Sequence, residues 1–455
     1  MNKITNKEKI SSTEGNIMVR IDKKTIESLE LHLVLQQISD YCITQLGKDK
    51  ALSITPFEDV STILPELHSV KEFTAAFDTG GQIPNHGFDS VERALHLLGI
   101  ENSTLEITGI RRILSIALTT QTLLKFFKKF EEFYIYLNSF SEKVIYTPIL
   151  AEEINKKIDK HGDVKDNATN ELSIIRNRLK HVKGQINSSF SKALSHYAQK
   201  DYLDEIRETI VDNRRVLAVK AMYRKKIKGT VLGNSKTGSL VYMEPQETLE
   251  YANELSNLIF EEQEEIKRIL KELTEYIRPH SALIKTYQDY LINIDLFYAK
   301  ARYAIKINGA LPIITSERRL SLINAYHPIL LVANNKLKQK TFPQTISLHL
   351  ENRIIIISGP NAGGKSITLK TVGLLQVMLQ SGILIPVDPL SEFCFFNRIL
   401  TDIGDNQSIE NQLSTYSYRL KNMNQFLKKC KAETLFLIDE FGTGSDPELG
   451  GALAE

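Results

Sequence analysis

Arg353 to Lys370 reads RIIIISGPNAGGKSITLK. Its four consecutive isoleucines, Ile354 to Ile357, predict a strand buried on both faces. The run feeds directly into Gly359, Pro360, Asn361, Ala362, Gly363, Gly364, Lys365 and Ser366, the GxxxxGKS pattern of a phosphate-binding loop. Glycines let backbone N–H groups turn inward around phosphate oxygens, and the helix that follows aims its positive N-terminal end at the same anion. In that arrangement Lys365 reaches the outer phosphates and the Ser366 hydroxyl holds Mg²⁺. A Gly-rich strand-to-helix turn is the bland alternative. The position of the match, between an apolar run and a helical pattern, favours nucleoside triphosphate.

Seventy-four positions beyond Lys365, Leu435-Phe-Leu-Ile-Asp439-Glu440 is an apolar strand ending in two acids. Alone this is usually a strand meeting solvent. Downstream of a phosphate loop it supplies the second half of the site, with Asp439 assisting Mg²⁺ and Glu440 as the general base that orients the attacking water.

The 455 residues leave room for two to four domains. With 42% hydrophobic and 25% charged residues the composition is that of an ordinary globular protein, and a net charge of +2 requires any nucleic-acid surface to be local. Cys42, Cys394 and Cys430 are odd in number and far apart, which fits reduced thiols and no metal site. The start, MNKITNKEKISSTEGN, lacks the apolar core of a signal peptide, and no stretch is apolar enough to span a membrane. A cytoplasmic protein without membrane contact is expected.

The expected fold class is multidomain, α and α/β. A flexible tail, 1–24, precedes a helical N-terminal core over 25–160, in which His32, His68, His86, His96, Tyr134 and Tyr136 show no ligand spacing and read as packing or surface groups. Residues 161–290 carry two heptad runs. One is Ala168, Leu172, Ile175, Leu179, Val182, Ile186 and Ser189; the other is Leu255, Ile259, Glu262, Ile266, Ile269, Leu273 and Tyr276. Separated by a compact insert, they predict an antiparallel coiled-coil arm, with Glu261, Glu264 and Glu265 solvated, against the alternative of two amphipathic helices on an ordinary core. The insert, about 202–245, alternates as a small β tip. Between Arg214 and Lys236 it holds eight basic residues and no acid: Arg214, Arg215, Lys220, Arg224, Lys225, Lys226, Lys228 and Lys236. Such a module suits a phosphate backbone, of DNA or of structured RNA, while a solvated basic face is the alternative. A helical return to the core over 291–318 precedes an ATPase domain at 319–455, with strand signals at Leu320 to Ile323 and Ile346 to Leu350. Phe342 is either an adenine-stacking ring or a core residue.

The stretches GPNAGGKSITLKTVGL, DIGDNQSIENQLSTYS and LFLIDEFGTGSDPE together resemble the ATPase domain of the MutS family, and the chain looks similar to its paralogous branch without a mismatch-reading front end. The resemblance covers most of the chain, including Leu29 to Pro56 and the insert at Val211 to Val216. It implies an ABC-type P-loop ATPase using ATP and Mg²⁺ and working as a homodimer. Asp405 and Gln407 would form the sensor loop. Ser414 and Thr415 would be the signature loop that reaches the partner's nucleotide. Gly444, Ser445 and Asp446 would be the dimer-contact loop, and the arm would be a clamp on nucleic acid.

No Gly-Phe-Tyr-Glu-like segment is present, so the resemblance implies branched DNA and recombination control rather than mismatch reading. The alternative it carries is an ATP-switched factor that binds stalled or collided ribosomes. The sequence stops 15 residues past Glu440, before the strand, switch histidine, dimerising helices and nuclease-like domain that the family places later. A fragment with an incomplete ATPase domain, and impaired turnover and dimerisation, is therefore expected.

Overall fold

The computed structural model describes residues 19–360, 363–403 and 415–440. Along the chain run helices α1 (Lys23–Ser28), α2 (Leu31–Ser39), α3 (Gln45–Leu52), α4 (Val60–Asp78), α5 (Glu92–Leu98), α6 (Ile107–Lys129), α7 (Ile135–Ser141), α8 (Ile149–Lys157) and α9 (Asn170–Gln199). Strands β1 (Leu203–Val211), β2 (Arg214–Lys220), β3 (Gly229–Asn234) and β4 (Leu240–Pro245) follow, with a 3₁₀ turn at Ala221–Lys226. Next come α10 (Gln246–Ile277), α11 (Ser281–Ile307), β5 (Ile313–Ile314), β6 (Leu320–Ala325), α12 (Pro328–Leu337) and β7 (Gln344–Leu348). The last are α13 (Lys365–Gln380), β8 (Glu392–Phe393), β9 (Arg398–Asp402), α14 (Thr415–Lys429) and β10 (Thr434–Ile438). One compact unit comprises 91–117 and 147–285; the other is drawn from 1–90, 118–146 and 286–455.

In the first unit α9 and α10 lie antiparallel. Thr169 caps α9 by accepting from the Leu172 amide. Ile175, Leu179 and Val182 are buried against Leu258, and Leu172 against Ile269. Polar pairs fix the direction: Arg176 meets Glu262 at 2.7 Å, Arg178 meets Glu254 at 2.8 Å, and the Ser189 hydroxyl donates to the Glu247 carbonyl at 2.7 Å. The frame on α10 differs from the heptad expected. Ile259 and Tyr276 are exposed, whereas Glu265, expected in solvent, is only 6% exposed. Leu258 beside Ile259 and Glu265 beside Ile266 allow two frames, and the facing helix selects one. Burial of Glu265 is tolerated because Arg268 donates to it twice at 2.7 Å and Thr169 once at 2.6 Å, so the charge is paired and hydrogen-bonded. Its carboxyl is accordingly held below the usual glutamate range, chiefly by Arg268.

The insert is a four-stranded antiparallel sheet in the order β1-β2-β4-β3. Asp212 and Asn213, both with left-handed backbones (φ 48° and 60°), make the tight turn from β1 to β2. One face of the sheet, with Leu203, Leu217, Val219, Val241 and Met243, covers Phe190, Ala193 and Tyr197 of α9.

The second unit has a sheet in the order β5-β8-β6-β7 and a parallel pair, β9-β10. The strand signals at 320 and 346 correspond to β6 and β7. Ile354 to Ile357 do not form the expected strand: they pair with no strand among the described residues, and Ile354 and Ile356 are 82% and 88% exposed. A doubly buried strand needs hydrogen-bonded neighbours on both sides, and none of β5 to β10 pairs with these residues. Among the helices, the buried Asp295 carboxylate accepts from the Ile43 and Thr44 amides at 2.9 Å, the Thr44 hydroxyl at 2.6 Å and His86 Nε2 at 3.1 Å. His86 is thus a packing group, and His68 stacks on Tyr136.

His327, the residue before α12, is buried with no partner for Nδ1. Burial pushes its imidazole from 6.5 down to about 4, with Glu30 opposing and Lys370 assisting. The unfolded chain takes up this proton near pH 6.5 and the folded chain only near 4, so the stabilisation is complete above 6.5 and fades as the pH falls to 4. Denaturant unfolding across that window should show wild type losing on the order of 3 kcal/mol more than His327→Gln. Parallel curves for the two would contradict this.

Candidate nucleotide site

The loop after Ile357 turns on two glycines. Gly359 has φ 149° and Gly364 φ 81°, and Gly364 is the residue from which α13 starts. The Gly363 amide donates to the Pro360 carbonyl at 2.9 Å, and Lys365 Nζ donates to the Gly359 carbonyl at 2.5 Å. The lysine side chain therefore bends back over the loop that opens its own helix. Ser366, exposed, stands in the first turn, where backbone N–H groups have no intrahelical acceptor. Asn361 and Ala362 lie outside the described residues.

Strand β10 carries the acids. It runs parallel to β9 with Ile438 opposite Asp402, and the Asp439 amide extends the ladder by donating to the Asp402 carbonyl at 2.9 Å. Asp402 and Asp439 therefore end adjacent parallel strands at their carboxyl edge, where open α/β sheets bind ligands. Asp402, to which sequence reasoning gave no role, is buried and accepts from Asn422 Nδ2 at 3.2 Å. Its local signal is slight, two apolar residues, Ile399 and Leu400, ahead of Thr401 and the acid. Glu440 follows, exposed, with a left-handed backbone at φ 49°.

Loop and acids are joined through Gly373 of α13. A Cβ at this glycine would stand 2.5 Å from Leu437 Cδ1 and 2.6 Å from Leu29 Cδ2, so the helix lies directly on β10 and on the N-terminal segment. That segment also binds β9. The Thr25 hydroxyl donates to the Ile399 carbonyl at 3.2 Å, Ser28 and Thr401 hydroxyls meet at 2.8 Å, and Lys370 of α13 pairs with Glu30 at 2.9 Å.

Residues 355–455 match the family model of MutS domain V. The protein named Endonuclease MutS2 from Bacillus velezensis is 33% identical over 441 residues, 95% of this chain and 55% of the relative. The chain belongs to the MutS family. Proteins of the same name from Latilactobacillus sakei and Caldicellulosiruptor bescii are 34% and 32% identical over 95% and 96% of the chain, each covered to 54% of its length. The chain spans about half the length of the curated relatives it matches.

Of the other positions singled out in this MutS-family chain, Asp405, Gln407, Ser414, Gly444, Ser445 and Asp446 lie outside the described residues, and Thr415 opens α14. Phe342 is 72% exposed, with Lys340 Nζ 5.2 Å from its ring centroid, so it is not a core residue. At the tip, Arg214 pairs with Glu244 at 2.7 Å, Arg215 with Glu208 at 2.6 Å and Lys220 with Asp201 at 2.9 Å. Arg224, Lys225, Lys226, Lys228 and Lys236 are exposed. No helix among the described residues is long and apolar enough to cross a membrane.

The Gly373 notch yields a test. Although alanine is the better helix former, Gly373→Ala should cost about 2 kcal/mol in urea unfolding, because its methyl overpacks Leu437 and Leu29. Combined with Leu29→Ala, which makes room for that methyl, the joint loss should be less than the sum of the two separate losses. Strictly additive losses would mean the two residues do not share the space.

Proposed function

We propose that the chain carries the ATP-binding and ATP-hydrolysing part of a MutS-type clamp on DNA, acting on branched or recombination structures. One observation carries the reading: the helix opened by Gly364 and Lys365 rests through Gly373 on the strand that ends in Asp439 and Glu440. In this mechanism the amides of Gly359 to Ser366 and the α13 N-terminus bind the triphosphate. Lys365 exchanges its contact with the Gly359 carbonyl for phosphate oxygens. The donor set at hand, the Ser366 hydroxyl and the Asp439 carboxylate, is hard oxygen and few in number, which fits Mg²⁺. When bound, the ion would supply charge neutralisation for the triphosphate. Asp402 positions the Asp439 backbone through the shared ladder. Glu440, turned out of the strand by its left-handed backbone, orients and deprotonates the attacking water. Phe342, exposed, serves as the adenine platform.

In this reading two chains form a homodimer. Ser414 and Thr415 of one subunit complete the site of the other, Asp405 and Gln407 sense metal and water, and Gly444 to Asp446 cross the contact. Nucleotide-driven closure moves the α9-α10 pair as a coiled-coil clamp arm, whose basic tip holds phosphate backbone. The antiparallel, buried seam of that pair supports a stiff arm rather than a loose loop. The ribosome as target has no separate observation in its favour, and ribosomal RNA offers the tip the same phosphates. The nuclease activity in the relatives' name belongs to proteins of about twice this length and is not part of the proposal.

Lys365→Ala should abolish binding of a fluorescent ATP analogue. Glu440→Gln should keep that binding while lowering steady-state phosphate release ~100-fold or more. Undiminished hydrolysis by the Glu440 variant discards its role as base, and retained nucleotide binding by the Lys365 variant discards the phosphate loop.

A further inference from the structure

The 3₁₀ turn Ala221–Lys226, sequence AMYRKK, links β2 to β3 at the tip of the insert. With three residues per turn, positions i and i+3 eclipse, so Tyr223 and Lys226 share one face, Met222 and Lys225 a second, Ala221 and Arg224 a third. The first face is used internally. Tyr223 stacks on Tyr202 with centroids 4.8 Å apart, and Lys226 Nζ lies 5.6 Å and 5.7 Å from the centroids of Tyr223 and Tyr202. The next residue, Ile227, is buried in the core of the insert. Anchored on that side, the turn presents the other two faces to solvent: Met222 is 77% exposed on the face it shares with exposed Lys225, and exposed Arg224 stands on the other.

A lone exposed methionine is ordinary on a surface. One held out by a fixed turn, within a segment of eight cations and no acid, has the chemistry of a different device. Apolar side chains flanked by cations enter opened base steps while the cations hold the adjoining phosphates. We propose that Met222 is such a wedge, inserting at the unstacked step of a branched DNA duplex while Arg224 and Lys225 grip the backbone beside it. This rests on the reading of the tip as a surface for branched DNA and adds the residue that selects that substrate over intact duplex. Intact duplex keeps its steps stacked and opposes insertion. A branch point has already lost that stacking, so the wedge discriminates between them.

The test measures the affinity of the purified chain for a four-way DNA junction and for a linear duplex of the same composition, across a salt series. Wild type should prefer the junction. Met222→Ala should lower the junction-to-duplex affinity ratio ~5-fold, Met222→Leu should keep it, and neither should change the salt slope. Arg224→Ala with Lys225→Ala should weaken both probes alike and reduce the slope by about 2. A wild-type ratio of one, or a ratio unmoved by Met222→Ala while the double variant still weakens both probes, overturns the wedge and leaves the basic tip standing. Unchanged affinity in the double variant overturns the tip reading itself.

Discussion

A missing side chain organises the unit that carries β9, β10 and α13. Because Gly373 has no Cβ, α13 approaches close enough for Leu437 and Leu29 to fill the space a methyl would take. Leu437 belongs to the strand that ends in the acids, and Leu29 to the turn where the chain leaves α1 through Glu30, at φ 61°. Eight residues of helix, about 12 Å, separate Gly373 from Lys365. A rigid helix held at this point by two leucines fixes the direction in which its N-terminus, and so the phosphate loop, can face. The segment from Thr25 to Glu30 is thereby packed on the helix that the loop opens, although hundreds of residues separate it from the loop.

The other end of the same helix is held by charge. Lys300 of α11 is 1% exposed and donates to Glu66 of α4 at 2.8 Å and to the Ser381 carbonyl, just past α13, at 3.1 Å. A buried lysine alone would be costly. A carboxylate partner and the negative end of a helix together compensate it. The Phe57 amide adds a bond to the Gln380 carbonyl at 2.9 Å. With one end tied by an ion pair and the middle notched onto a strand, α13 is constrained in rotation as well as position. Lys300 places α11 among the elements that hold it.

What could be read in the sequence follows from what depends on local chemistry. Phosphate binding demands glycines and a lysine at fixed spacing, so Gly359 to Ser366 was legible as a motif. The β tip was legible because alternation is a property of neighbouring residues. The Ile354 to Ile357 run was not, because being a strand requires partners elsewhere, and hydrophobicity records only a capacity to be buried. The α10 seam failed for a related reason: Leu258-Ile259 and Glu265-Ile266 support two frames, and only Thr169, Leu179 and Val182 across the interface choose between them. Asp402 escaped because its place beside Asp439 is created by the parallel pairing of β9 and β10.

Glu440 shows the same division from the opposite side. Its left-handed backbone is a conformation that a side chain disfavours by roughly 1 kcal/mol or more, and glycine would relieve the cost. The position is nonetheless a glutamate, directly after an aspartate whose amide is still tied into the ladder. The backbone thus leaves the extended conformation within one residue of that ladder bond. A backbone that glycine would adopt more easily is kept here for a glutamate at the sheet's carboxyl edge, the placement that the proposed role in orienting water requires.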